Sequence, residues 1–440
     1  MPPRRELLTG NEAVARAVRL AAPQVIPTYP ITPQAPLLAA IASDVERGLL
    51  ATEFLNTESD YAAMAAAVGA SLGGARTFTA TNSQGLLFMA EHLFTASGSR
   101  CPIVMAVVNR AISVPHSRYA DHNDALAVNR AGWIQLFCED TQEIFETCLQ
   151  LFRICEDPRI RLPGMVCYES FIHSHTAEGV ALPDPRAAAR FLGPPRVDVL
   201  LDPGDPRALN PPTPPERYTE YKFAEHRAMA AALEVIPQVG QAYAEAMATR
   251  PRGLLEATPG SGGAVVLAMG SLARTARRAV ANLQGEGIPA RLVKLRAYRP
   301  FPRQAVREAL AGADVVLTLD RNCAAGGGGA LYDEVRSALY GLPNAPRVVG
   351  VIAGLGGRDV TPAQIAEAIR LAVTRAPAFE GPDAMHWLGL NLERVRDESP
   401  QAVRSTLAAK APAPGRRGSD PGAARRAAGA SRRRGEQPDA

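Results

Sequence analysis

Residues 77–108 read "TFTATNSQGLLFMAEHLFTASGSRCPIVMAVV". "TFTAT" is short, β-branched and aromatic, as a strand requires, and "NSQG" is a turn. "LLFMAEHLFTASG" is apolar at helical spacing, whereas "PIVMAVV" is an unbroken apolar run of the kind found in buried parallel strands. Strand, turn, helix and strand make a βαβ unit, which predicts a parallel sheet covered by helices on both faces. Working outward, "QVI" (24–26) is another short buried strand, and it leads through "PTYPITPQAP" (27–36) into the helical "LLAAIA". "WIQLF" (133–137) and "GMVCYESFI" (164–172) are further strands, separated by a helix from Thr141 whose Asp140 and Glu143 have capping-box spacing.

A second run of the same kind follows. "AVVLAMGS" (264–271), "ARLVKLRAYRPFP" (290–302), "DVVLTLDRN" (314–322) and "RVVGVIAGLG" (347–356) are strands with helical segments between them. The fold class is therefore α/β, with two doubly wound domains. We divide the chain into a first domain over 1–178, an extended proline-dense linker over 179–228, a second domain over 229–400 and a disordered basic tail over 401–440.

Hydrophobic residues make up 47% of the 440 and charged residues 21%, a globular composition. The net charge of +4 is unevenly placed: nine Lys or Arg and three Asp or Glu fall between Arg404 and the end, leaving 39 basic against 41 acidic residues before it. The body thus offers no basic surface for nucleic acid, and the tail reads as a solvated extension. Neither a secretory leader nor an 18-residue apolar span is present, so a cytoplasmic location is expected. Six cysteines stand at 101, 138, 148, 155, 167 and 323 without a C-x-x-C pair, which excludes a cluster-binding or zinc-knuckle motif in this chain.

Several residues carry candidate chemistry. Prolines 27, 30, 33 and 36 recur every third residue, as in a polyproline II docking peptide, but the flanking strand and helix favour a stiff structured loop bearing the hydroxyls of Thr28, Tyr29 and Thr32. Arg110 ends an inner strand, where a guanidinium needs an anion, either a ligand carboxylate or a salt-bridge partner. Glu58 and Asp60 precede the small-sided helix "YAAMAAAVGASLGGA", as ligand-facing acids or as ordinary helix-start acids. "AAGGGGAL" (324–331) permits close packing or, less readily, anion binding. His116, Asp121, His122 and Asp124 read as loop-bracing residues rather than a metal site, and His173 with His175 as a half-buried pair.

Taken together, "GNEAVARAVRLAAPQVIPTYPITPQAP", "TESDYAAMAAAVGASLGGARTFTATNSQGLLFM", "CPIVMAVVNRAIS", "YADHNDALAVNRAGWIQLF", "LRAYRPFP" and "IAGLGGRDVTP" resemble the α subunit of pyruvate and related 2-oxoacid:ferredoxin oxidoreductases. The resemblance runs in order from about residue 10 to residue 390. It implies a thiamine-diphosphate pyrimidine-binding fold followed by a transketolase C-terminal-like domain. It also implies oxidative decarboxylation of a 2-oxoacid with coenzyme A and ferredoxin. The expected partners are a β subunit that holds the diphosphate, Mg2+ and an iron–sulfur cluster, a γ subunit and a ferredoxin-like δ subunit. Onto this sequence the resemblance carries a substrate-contacting threonine at Thr32 and a substrate-carboxylate arginine at Arg110. The carboxylate that meets the aminopyrimidine falls at Asp60, where the family has glutamate, with Glu58 as the first acid of the same motif. Two other readings share parts of this pattern: a non-catalytic assembly paralogue, and the β subunit of a lipoamide-linked 2-oxoacid dehydrogenase.

Overall fold

A computed structural model describes residues 4–113, 115–198, 200–260, 262–374 and 385–397. The chain begins β1 (Arg4–Leu8), α1 (Gly10–Ala21), β2 (Val25–Thr28), α2 (Ala35–Glu46), β3 (Glu53–Asn56), α3 (Asp60–Leu72) and β4 (Phe78–Thr81). Next come α4 (Ser83–Phe88), α5 (Ala90–Gly98), β5 (Val104–Asn109), α6 (Asn123–Ala127), β6 (Ile134–Phe137), α7 (Thr141–Cys155) and β7 (Gly164–Glu169). β8 (Glu178–Leu182), α8 (Pro185–Leu192) and the long α9 (Pro215–Met247) lead out of this half. The second half holds β9 (Leu255–Ala257), β10 (Ala264–Ala268), α10 (Ser271–Gly285), β11 (Ala290–Leu295), β12 (Ala297–Arg299) and α11 (Arg303–Leu310). It continues with β13 (Val315–Asp320), α12 (Ala330–Leu339), β14 (Arg347–Ile352), α13 (Pro362–Val373) and β15 (Met385–Trp387). All of these lie in one compact unit that ends at Gly389.

The first sheet runs β12-β6-β7-β5-β4, and a parallel bridge from Thr77 to Val25 extends it to the β2-β3 pair. Its strands β4 to β7 are parallel and buried along their whole length, as the unbroken apolar run of β5 leads one to expect of the sheet's centre. The second sheet runs β15-β14-β13-β10-β11-β9 and is parallel apart from its β9 edge. Between β11 and β12 the chain leaves the second sheet and pairs antiparallel with β6, so the two halves share a strand. Cys148 and Cys155 are fully buried in the α7 core, as their seven-residue spacing predicts.

One expectation needs revision. Residues 179–228 are not simply extended: they open with most of β8, paired to β1, then form α8, and from Pro215 the chain is already helical. The proline at the start of α8 fits there because a first-turn position needs no N–H, and Asp184 caps the helix. The tail over 401–440 lies outside the described residues.

The capping box at α7 is only half made. Asp140 accepts from the Glu143 N–H at 2.8 Å, but the Glu143 carboxylate accepts from the Glu139 N–H rather than that of Asp140 and also reaches the second half of the chain. There Lys294 Nζ lies 2.7 Å from both of its oxygens and 3.2 Å from Glu256, and Arg252 pairs with Glu146. Burial pushes the Glu143 carboxyl up, but Lys294, Arg252 and Arg296 outweigh it and hold the group at about 2. This buried ionic cluster locks α7 against the second sheet.

Candidate functional site

The carboxyl ends of β2, β4 and β5 converge, and the loops that leave them form the site. The 29–34 loop is held from beneath by side chains. Asn11 donates to the Pro33 carbonyl at 2.9 Å and is itself oriented by the Tyr168 hydroxyl at 2.8 Å. Gln34 donates to the Ala80 carbonyl at 2.8 Å and accepts from the Ile31 N–H. So the proline-rich stretch is a pinned loop, its Thr32–Pro33 peptide is cis, and Thr32 stands exposed on it.

Arg110 follows β5 and is buried, with 6% exposure. Its Nη1 donates to the Thr32 carbonyl and its Nη2 to Gln84 Oε1 at 2.6 Å, while its Nε has no hydrogen-bond partner. Among the described residues no carboxylate lies within 4.0 Å of this guanidinium, so no ion pair forms. Burial lowers its pKa from the ordinary arginine value, and Asp124 partly offsets this. The sequence left open whether a salt bridge or a ligand would satisfy Arg110. In the structure it is a cation with only neutral partners, and part of its donor set is uncommitted.

Asp60 opens α3 behind the Ser59 cap and is buried, with 4% exposure. Its Oδ1 accepts from the Thr81 hydroxyl at 2.7 Å. Burial raises its pKa above the ordinary aspartate value against the opposing pull of Thr81. Gly85 packs directly on it, and a Cβ there would sit 2.7 Å from the Asp60 Cγ and 2.5 Å from the Thr81 hydroxyl. Glu58, two residues earlier, faces solvent. The two acids therefore separate, with one buried against β4 and one outside.

Two participants were not singled out from the sequence, Ser83 and Gln84, whereas Asp124 takes the loop-bracing role expected of it. Asp124 is fully buried and accepts from the backbone N–H groups of Ser83 and Arg110 at 2.9 Å and from Asn109 Nδ2 and the Ala125 N–H at 2.8 Å. One carboxylate thereby joins the ends of β4 and β5. Ser83 sits at φ 49°, an uncommon conformation for a residue with a side chain. The "NSQG" turn was the available signal, since a polar cluster between a strand and a helix marks a site loop.

The remaining candidates fall elsewhere. No group of three potential metal ligands occurs among the described residues, and His116 Nδ1 lies 3.1 Å from the Ser113 hydroxyl. His122 and His173 both bind the buried Glu169, at 3.0 and 2.7 Å, whereas His175 stacks on Phe171. Of the four glycines, Gly329 lets the Asp320 carboxylate cap α12 through the Leu331 and Tyr332 N–H groups, so this helix start binds its own chain's anion.

Comparison with known proteins follows the same division. Residues 16–241 match the family described as "Pyruvate flavodoxin/ferredoxin oxidoreductase, thiamine diP-bdg", and residues 263–365 match "Pyruvate:ferredoxin oxidoreductase core domain II". The pyruvate synthase subunit PorA of Methanothermobacter thermautotrophicus is 39% identical over 390 residues, covering 88% of this chain and 99% of that one. The chain belongs to the pyruvate (2-oxoacid):ferredoxin oxidoreductase α-subunit family. Pyrococcus furiosus PorA is 36% identical over 90% of this chain and 100% of its own. The ketoisovalerate oxidoreductase subunit VorA of Pyrococcus abyssi is 38% identical over 82% of this chain and 91% of its own. A solved 2-oxoglutarate:ferredoxin oxidoreductase from Magnetococcus marinus superposes with a TM-score of 0.66 at 16% identity, a likeness of fold. The match covers 83% of this chain and 65% of the solved one. As a member of this α-subunit family the chain is part of an oxidoreductase of the 2-oxoacid:ferredoxin class. No described helix is long and apolar enough to cross a membrane.

Proposed function

We propose that this chain carries the substrate-binding face of a thiamine-diphosphate-dependent enzyme that converts pyruvate or a related 2-oxoacid, with coenzyme A and ferredoxin, to acyl-CoA and CO2. The observation that carries the reading is Arg110, a buried cation with no acid partner beside the exposed Thr32. Its free donors suit the carboxylate of a 2-oxoacid, and the Thr32 hydroxyl stands where a hydroxyl can support the developing oxyanion. Relatives named for pyruvate and for ketoisovalerate are about equally similar, so the proposal covers both acids.

The residues around Asp60 fit an aminopyrimidine. The carboxyl is buried and takes a single side-chain donor, and the missing side chain of Gly85 leaves it uncrowded. Bound there, thiamine diphosphate supplies the nucleophilic carbon for decarboxylation. Asp60, whose carboxyl burial pushes up and Thr81 orients, would hold a proton toward the ring nitrogen of the bound cofactor. Being one methylene shorter than glutamate, Asp60 reaches about 1 Å less far than the family's glutamate would. Glu58, on the outer side of the same turn, faces the partner or solvent rather than the ring.

Exposed Tyr29, Leu55, Phe88 and Phe94, on elements flanking the site, form a rim for a β subunit that holds the diphosphate, Mg2+ and an iron–sulfur cluster, with γ and δ subunits completing a cytoplasmic complex. The test is Arg110→Met in the complex assembled with its partner subunits, read by viologen reduction against a panel of 2-oxoacids. We expect KM to rise by about two orders of magnitude for each acid that the wild type turns over, the cost of a lost charge-assisted pair. Unchanged KM overturns the assignment of Arg110. No turnover by the wild-type complex with any 2-oxoacid supports a non-catalytic paralogue, and transfer to lipoamide supports a dehydrogenase subunit.

A further inference from the structure

We propose that Gln84 is a positioning residue that aims the Arg110 guanidinium and, being uncharged, leaves its positive charge free for the incoming carboxylate. Gln84 is half-buried at the start of α4, and its Oε1 accepts from Arg110 Nη2 at 2.6 Å. The Ser83 hydroxyl lies 2.6 Å from the same oxygen and 2.7 Å from the Ala111 carbonyl, so its single proton serves one or the other. The peptide N–H groups of Ser83 and Arg110 are both clamped by Asp124. Gln84 therefore leaves a backbone fixed relative to Arg110, and its amide is the side chain that holds the guanidinium, beside the Thr32 carbonyl.

An acid at position 84 would bind the same nitrogen more tightly, because a bond to a carboxylate is about twice as strong as one to a neutral acceptor. It would also neutralise the charge that attracts substrate. A neutral amide at this point orients without competing. Three further N–H groups of Arg110 are then uncommitted: the Nε–H and one on each Nη.

The inference rests on Arg110 being the carboxylate's holder, and its test separates the two claims. In the assembled complex, Gln84→Glu is nearly isosteric, so thermal stability should hold while KM for pyruvate rises by about tenfold or more and kcat stays within about threefold. Gln84→Met removes the acceptor without adding charge, so its KM should rise less; it also stands in if the glutamate variant does not assemble. KM within about twofold of wild type for both variants, or a fall in kcat with KM unchanged, overturns the proposal. Equal increases in the two variants overturn its charge component. Arg110→Met is measured alongside. If it leaves KM unchanged, the parent reading fails; if it raises KM while Gln84→Glu does not, only the role of Gln84 fails.

Discussion

Replacing Glu143 by glutamine removes one charge from the interior with almost no change in shape. The carboxylate is fully buried between Lys294, Arg252 and Arg296 and titrates at about 2 instead of the ordinary 4.5. At 1.36 kcal/mol per pH unit, that depression corresponds to roughly 3 kcal/mol of stability when the group is ionised. Because the folded-state value is depressed, this contribution is complete above the unfolded-state value of 4.5 and is lost as pH falls toward 2. Glu143→Gln should therefore be less stable than wild type by about 3 kcal/mol at neutral pH, in line with the cost of breaking a buried pair. The gap should narrow by roughly 1 kcal/mol by about pH 3.5, one pH unit below the unfolded-state value. Urea unfolding of both proteins at the two pH values measures this. A neutral-pH gap below about 1 kcal/mol, or one that does not narrow in acid, would refute the view that these charges lock α7 to the second sheet.

Gly85→Ala should leave secondary structure intact yet weaken thiamine diphosphate binding to the complex by about tenfold or more, since a Cβ 2.7 Å from Asp60 Cγ must push that carboxyl aside. Fluorescence titration measures it, and wild-type affinity would remove Asp60 from the proposed cofactor contact. Thr32→Ala should keep the melting temperature within about 2 °C, because the side chain is exposed on a loop held by Asn11 and Gln34. Its kcat should fall by about tenfold or more if the hydroxyl supports an oxyanion, and an unchanged kcat would reduce this loop to a turn.

The local sequence determined the alternation of buried strands and amphipathic helices, because unbroken apolar runs and helical spacing are short-range signals. It likewise determined that Thr32 and Arg110 sit where strands end and Asp60 where a helix begins, since turn residues punctuate those runs. Motif order along the chain carried the family. The state of each site residue was a tertiary matter. Asp60 and Glu58 are two residues apart, and only packing against Thr81 and Gly85 decides that one is buried and the other is not. Arg110 has an acid 14 residues downstream, yet Asp124 takes its backbone N–H while its guanidinium turns to Gln84 and Thr32. The capping-box spacing at Glu143 promised a bond to the Asp140 N–H; the carboxylate accepts instead from the Glu139 N–H and from a lysine 151 residues away. Charges and hydrogen bonds are satisfied by whatever the fold brings within about 3 Å, a distance that bears no relation to separation along the chain.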